Sequence, residues 1–125
     1  MGTIHVSKLY GSMVSLLDKY YSLNPVDDLG SIMGDISTNI FIDGEPADSA
    51  VKSDWMKSVN NVVGEDLSQL DSQRGLEVVL DFVKAFQRDF GYEISPVIKD
   101  LEMLKSGNNG VYLTLHDWAN LLDFQ

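Results

Sequence analysis

Apolar residues along the chain recur at three- and four-residue steps rather than in alternation, and that period predicts helices throughout. Over 4–22, Val6, Leu9, Tyr10, Met13, Leu16, Leu17, Tyr20 and Tyr21 fall on one stripe. Asn24-Pro25 ends this helix, because a residue before proline avoids helical geometry. A second helix is predicted from Asp27 or Asp28, where a carboxylate can cap free backbone N–H groups, with Leu29, Ile32, Met33, Ile36 and Ile40 on its apolar face. Gly30 and Gly34 lie inside it, each less favourable than alanine by about 1 kcal/mol. Two explanations stay open: close packing against another helix, or a break.

Residues 41–49 read as a loop, because Asp43-Gly44 is a turn signal and Pro46 prevents simple continuation. Asp48 or Ser49 caps a third helix running to Val63. Val51, Trp55, Met56, Val59, Val62 and Val63 form its inner face, and Gly64 is placed to stop it. A polar connection over 65–72 turns Leu67 and Leu70 inward. The fourth helix, 73–90, carries Leu76, Val79, Leu80, Val83, Phe86 and Phe90 on one face and ends at Gly91. Ser95-Pro96 reads as a capping hydroxyl followed by proline at the first helical position, opening a helix faced by Val97, Ile98, Leu101 and Leu104. After a loop at 106–110, Thr114 and Asp117 form a capping box with Asp in place of the usual Glu or Gln. Leu115, Trp118, Leu121 and Leu122 complete a short last helix. The expected fold is all-α: a compact bundle of five to six helices in a single domain over 1–125. The β-forming runs at 40–42 and 111–113 are where a short extended segment can replace this pattern.

Composition narrows the function. The 125 residues suit one domain, and 44% hydrophobic content supports a core without staples. The absence of cysteine excludes a disulfide scaffold, a thiolate zinc site and a cysteine nucleophile. Met1 to Tyr10 has no apolar run of signal-peptide length, and no stretch is long enough to span a membrane, so a cytoplasmic protein is expected. His5 and His116 are the sole histidines, and His116 and Asp117, adjacent on a helix, point apart rather than forming a relay. There is no G-x-S-x-G elbow, and Gly107 to Gly110 lacks the lysine and hydroxyl of a phosphate loop. Residues 43–54 have the length of a calcium loop, but Ala47 and Asp48 stand at its fifth and sixth positions and Pro46 lies among the ligand positions. The pairs Asp27/Asp28 and Glu65/Asp66 suit helix caps and dipole partners better than acid–base chemistry. The expectation is a non-enzyme with no catalytic residue, metal or cofactor.

The net charge of −10 repels nucleic acid and anionic membranes and favours a basic protein partner, or simply keeps the chain soluble. The charge is uneven. From Asp27 to Trp55 the acids are Asp27, Asp28, Asp35, Asp43, Glu45, Asp48 and Asp54, with Lys52 the single base. Over 65–105, acids alternate with Arg74, Lys84, Arg88, Lys99 and Lys105, as on a generic solvated surface. The candidate partner-binding residues are therefore Asp27, Asp28, Asp43, Glu45, Asp48 and Asp54.

The run from Leu29 through Gly30-Ser31-Ile32-Met33-Gly34-Asp35 to Ile36, then Asp43-Gly44-Glu45-Pro46-Ala47-Asp48, then Trp55, resembles the small acidic immunity proteins of bacterial contact-dependent growth inhibition and related toxin systems. The resemblance covers about residues 5–63. It implies a cytosolic antidote that binds one cognate toxin domain, often a nuclease. Contact residues vary within such families, so it transfers no site. A nuclease must be basic where it holds phosphate, and an acidic inhibitor complements that field. The competing expectation is a helical regulatory or adaptor domain with no toxin partner. Trp55 keeps helical spacing with Val51, Val59 and Val62, which suits a core position better than a binding anchor.

Overall fold

The computed structural model describes residues 5–37, 49–66 and 70–124. Among them the regular elements are all helices: α1 (Val6–Leu23), α2 (Asp27–Ser37), α3 (Ser49–Val63), α4 (Ser72–Phe90), α5 (Ser95–Lys105) and α6 (Leu115–Phe124). Six helices agree with the apolar period, and no helix is long and apolar enough to cross a membrane among the described residues. The run at 40–42, Ile40 of the second apolar face, and Leu67 lie outside the described residues.

The helices form two groups. α1 packs against α2 and α6, while α4 packs against α3 and α5. The groups meet at Gly75, near the start of α4. A Cβ there would stand 2.9 Å from Cδ1 of Leu9 and 3.5 Å from Cζ2 of Trp118, so the missing side chain lets α1 and α6 reach the α4 backbone. Around this contact lies one core, with Leu9, Tyr10, Met13 and Leu17 from α1, Val79, Phe82 and Val83 from α4, and Trp118 from α6. Trp55 belongs to this core, only 2% exposed, with its ring edge-on to Tyr10 at 5.3 Å and to Phe82 at 5.2 Å. Its Nε1–H has no hydrogen-bond partner among the described residues. The Tyr10 hydroxyl donates to the Ile36 carbonyl at 2.9 Å and so ties α1 to the end of α2. Burial pushes the Tyr10 phenol far above its ordinary pKa, and it stays a neutral donor.

α2 runs unbroken through both its glycines. Gly30 is the close-packed one: a Cβ there would stand 3.0 Å from the Tyr21 hydroxyl, whereas among the described residues nothing lies within 4 Å of a Cβ at Gly34. Gly64 (φ 67°) and Gly91 (φ 73°) end α3 and α4 in the left-handed conformation that favours glycine. The Thr114–Asp117 box forms as expected: the Thr114 N–H donates to Asp117 Oδ2 and the Asp117 N–H to Thr114 Oγ1, each at 3.0 Å.

Several expectations need correction. α4 starts one residue earlier than its period indicated, because Asp71 caps it by accepting the Arg74 N–H at 2.8 Å. In α5 the capping position is Ile94, which is buried; Ser95 is already helical, and its hydroxyl donates to Glu93 Oε1 at 2.7 Å instead of capping. Phe90 leaves the inner face and is 65% exposed, because it occupies the last turn of α4 beyond the cover of α3 and α5. Leu115 is likewise exposed.

The run at 111–113 is not a strand. Its N–H groups converge on one carboxylate, that of Asp100: Val111 N–H donates to Oδ1 at 2.8 Å, and Tyr112 and Leu113 N–H donate to Oδ2 at 2.8 and 3.0 Å. Asp100 is 2% exposed, so these donors stand in for the water a buried carboxylate loses. One acid on α5 thereby shapes the entire approach to α6.

Candidate functional site: an acidic helix start beside exposed aromatic rings

Of the acids singled out from sequence, Asp43, Glu45 and Asp48 lie outside the described residues. Asp27 and Asp28 occupy the first turn of α2, where their charges complement the helix dipole. Asp27 is exposed and Asp28 half-buried. Asp28 also makes a long-range contact: its Oδ2 accepts the Glu93 N–H at 2.6 Å, so the start of α2 is fastened to the α4–α5 connection. That contact joins the acid-rich first half of the sequence to a segment the charge pattern had set aside.

Asp54 has different surroundings. It lies on exposed α3 surface and lines a cleft against α4 with Lys57, Asn61, Asp81, Arg88 and Asp89. Both charge signs meet there, so its field is locally balanced. The cleft has a volume of about 60 Å³, which is room for a few water molecules. A second cleft beside Glu77, Lys84 and Lys105 has about 210 Å³. Both fall below the roughly 300–1,000 Å³ of small-molecule sites.

Four basic side chains are engaged by the protein's own acids. Lys19 pairs with Asp117 at 2.9 Å, Arg74 with Glu77 at 3.3 Å, Lys84 with Glu102 at 3.1 Å and Arg88 with Asp89 at 3.0 Å. The Lys84 and Arg88 pairs are exposed and add little stability, but all four pairs mute the positive field around them. Among the described residues no lysine or arginine pairs with Asp27, Asp28 or Glu93.

Next to these acids is a feature that the apolar period concealed. The rings of Phe86, Phe90 and Tyr92 form a triangle with centroid separations of 5.9, 6.3 and 6.2 Å and mutual tilts of 35–40°. Phe86 and Tyr92 pack partly against the core, and Phe90 projects. Gly91 makes the triangle by reversing the chain at a positive φ, which returns Tyr92 to the rings it has just passed. The signal in the sequence is Phe90-Gly91-Tyr92, two aromatics around a helix-ending glycine, where the helical period alone assigns Phe90 to the inner face and Gly91 to the stop.

Comparisons with protein-family models, curated proteins and solved structures find no match.

The chemistry of the site therefore rests on its own residues. His5 and His116 are exposed. No group of three or more His, Asp or Glu side chains is placed to hold a metal ion among the described residues. The arrangement at the α2 start offers carboxylates and π-faces, both of which attract cations.

Proposed function

We propose that this chain is a binding protein that neutralises a basic toxin domain of the nuclease type, an immunity protein in the sense of the resemblance carried by residues 5–63. The observation that carries the reading is charge placement. Acids outnumber bases by 19 to 9. Arg74, Lys84 and Arg88 sit in local ion pairs, while Asp27 and Asp28 stand at an exposed helix start without a basic partner among the described residues. The negative field is thus left to face outward. A nuclease domain must be positive where it holds phosphate, and such a partner would be drawn to this field at rates beyond those of uncharged surfaces. The work of such a protein is occlusion: its residues cover the partner's phosphate-binding surface and take part in no bond-making step.

The test begins with the reading frame upstream of the coding sequence. The C-terminal domain it encodes is expressed in bacteria with and without this chain. Restored growth and co-elution of the two proteins on gel filtration are the expected results. Continued growth arrest with no complex would overturn the reading and leave the helical adaptor.

A further inference from the structure

We propose that the Phe86–Phe90–Tyr92 triangle is a docking platform for an arginine-bearing loop of a basic partner protein, with Asp27, Asp28 and Glu93 supplying the complementary charge; this deepens the toxin-binding reading and rests on it for the partner's identity.

An exposed phenylalanine alone means little, since single apolar residues are common on protein surfaces. Here Phe90 is joined to two further rings, and the three present a contiguous aromatic face. The face is fixed in place. Asp28 holds the Glu93 N–H, the Ser95 hydroxyl donates to Glu93 Oε1, and Gln87 Nε2 donates to the Ser95 hydroxyl at 3.1 Å. These bonds fasten the connection after Gly91 to α2, α4 and α5 together, so the platform is formed before anything binds.

Charge selects the occupant. Aromatic faces attract cations, and arginine stacks on them with its planar, weakly hydrated guanidinium while donating to nearby carboxylates. Asp28 and Glu93 meet through the Asp28–Glu93 hydrogen bond directly after Tyr92, and Asp27 is next to Asp28 on the exposed first turn. The nearest base in sequence, Arg88, is turned to the α3 cleft and pairs with Asp89. A second copy of this chain would set the same acids against each other. Nucleic acid would meet them with its phosphates.

The probe is the peptide Gly-Arg-Gly-Arg-Gly, compared with the same peptide carrying citrulline, which keeps the shape and loses the charge. Backbone amide spectra of the full chain should show saturable shifts at Phe90, Gly91, Tyr92 and Glu93 with the arginine peptide only. Phe90→Ala should weaken that binding about three- to fivefold. Asp27→Asn combined with Glu93→Gln should weaken it further, and Phe90→Tyr should retain it. Circular dichroism confirms that each variant is folded, which is expected because Phe90 is largely exposed. Shifts that map to the Asp54 cleft, equal response to citrulline, or concentration-dependent shifts without peptide would each overturn the platform. With the toxin domain in hand, a complex indifferent to Phe90→Ala would overturn the platform while the immunity reading stands. Absence of any complex would overturn the immunity reading, and the peptide shifts would still decide the platform.

Discussion

Gly110 lies directly against the carboxylate of Asp100: a Cβ at Gly110 would stand 2.6 Å from Cγ of Asp100 and 2.7 Å from its Oδ2. The absent side chain lets the backbone close over the acid, so that the next three N–H groups reach it. Asp100→Ala should therefore strand several donors at once, each unsatisfied buried group costing about 1–3 kcal/mol. We expect the urea midpoint to fall by the equivalent of about 3–5 kcal/mol with an unchanged slope. Gly110→Ala should destabilise as well, because its methyl group has to displace the carboxylate. A wild-type midpoint in both variants would show that the loop stands without this contact.

The two glycines of α2 should respond differently to alanine. At Gly34 a methyl group meets none of the described residues, and the gain in helix propensity should raise stability by about 0.5–1 kcal/mol. At Gly30 the same methyl meets Tyr21 at 3.0 Å, and the tyrosine has to give way. Thermal unfolding of the two single variants should rank Gly34→Ala above wild type and above Gly30→Ala. The reverse ranking would contradict the packing of α1 on α2.

Asp117 links stability to pH. Burial alone would raise its pKa, but hydrogen bonds from Lys19 and from the Thr114 N–H and hydroxyl, together with the Lys19 charge, outweigh burial and hold it below the ordinary value. A carboxyl depressed in the folded state stabilises it above the unfolded pKa, about 3.9 for aspartate, and that stability is lost as pH falls through the folded value. Asp117→Asn keeps an acceptor without the charge. The wild type should exceed this variant in stability at pH 6, and the gap should close below about pH 4. A gap that stays constant down to pH 2.5 would remove the ion from the account.

Partner association should slow as salt rises, because exposed charges are screened beyond about 8 Å at physiological ionic strength. Replacing Asp43, Glu45 and Asp48 together with Asn or Gln should slow it further without unfolding the protein. The matched control at Glu77, Asp81 and Asp89 should have little effect, since Glu77 and Asp89 already pair with Arg74 and Arg88. Stopped-flow kinetics across a salt series decides this: sensitivity confined to the control set would move the contact surface to α4.

The helices were legible because their signals are local. Burial of Leu9, Tyr10, Met13, Val59, Leu76 and Val79 follows from spacing alone, and the Thr114–Asp117 box needs only residues three apart. Asp100 was not legible. It lies beside the apolar face of α5 as an ordinary surface acid would, and its partners lie 11 to 13 residues away in a run whose β-forming residues point to an extended segment instead. The contact between Asp28 and Glu93 spans 65 residues and left no trace in either neighbourhood. The exposure of Phe90 depends on where α3 and α5 stop covering α4, which is a property of the assembled bundle. Half of the candidate surface could thus be found by counting charges, while the aromatic half required knowing which chain segments meet.

The pairing of α1 with α6 sets a timetable for the protein's own production. The Ser12 hydroxyl reaches the Leu121 carbonyl across 109 residues of chain, and at about 5–20 residues per second a ribosome needs roughly 5–20 s to synthesise that interval. During that time the apolar stripe of α1 has no final cover, so the nascent chain is open to chaperones and unable to settle. On the proposed reading, the chain becomes competent only once α6 has emerged, so its translation has to begin well ahead of the partner's arrival.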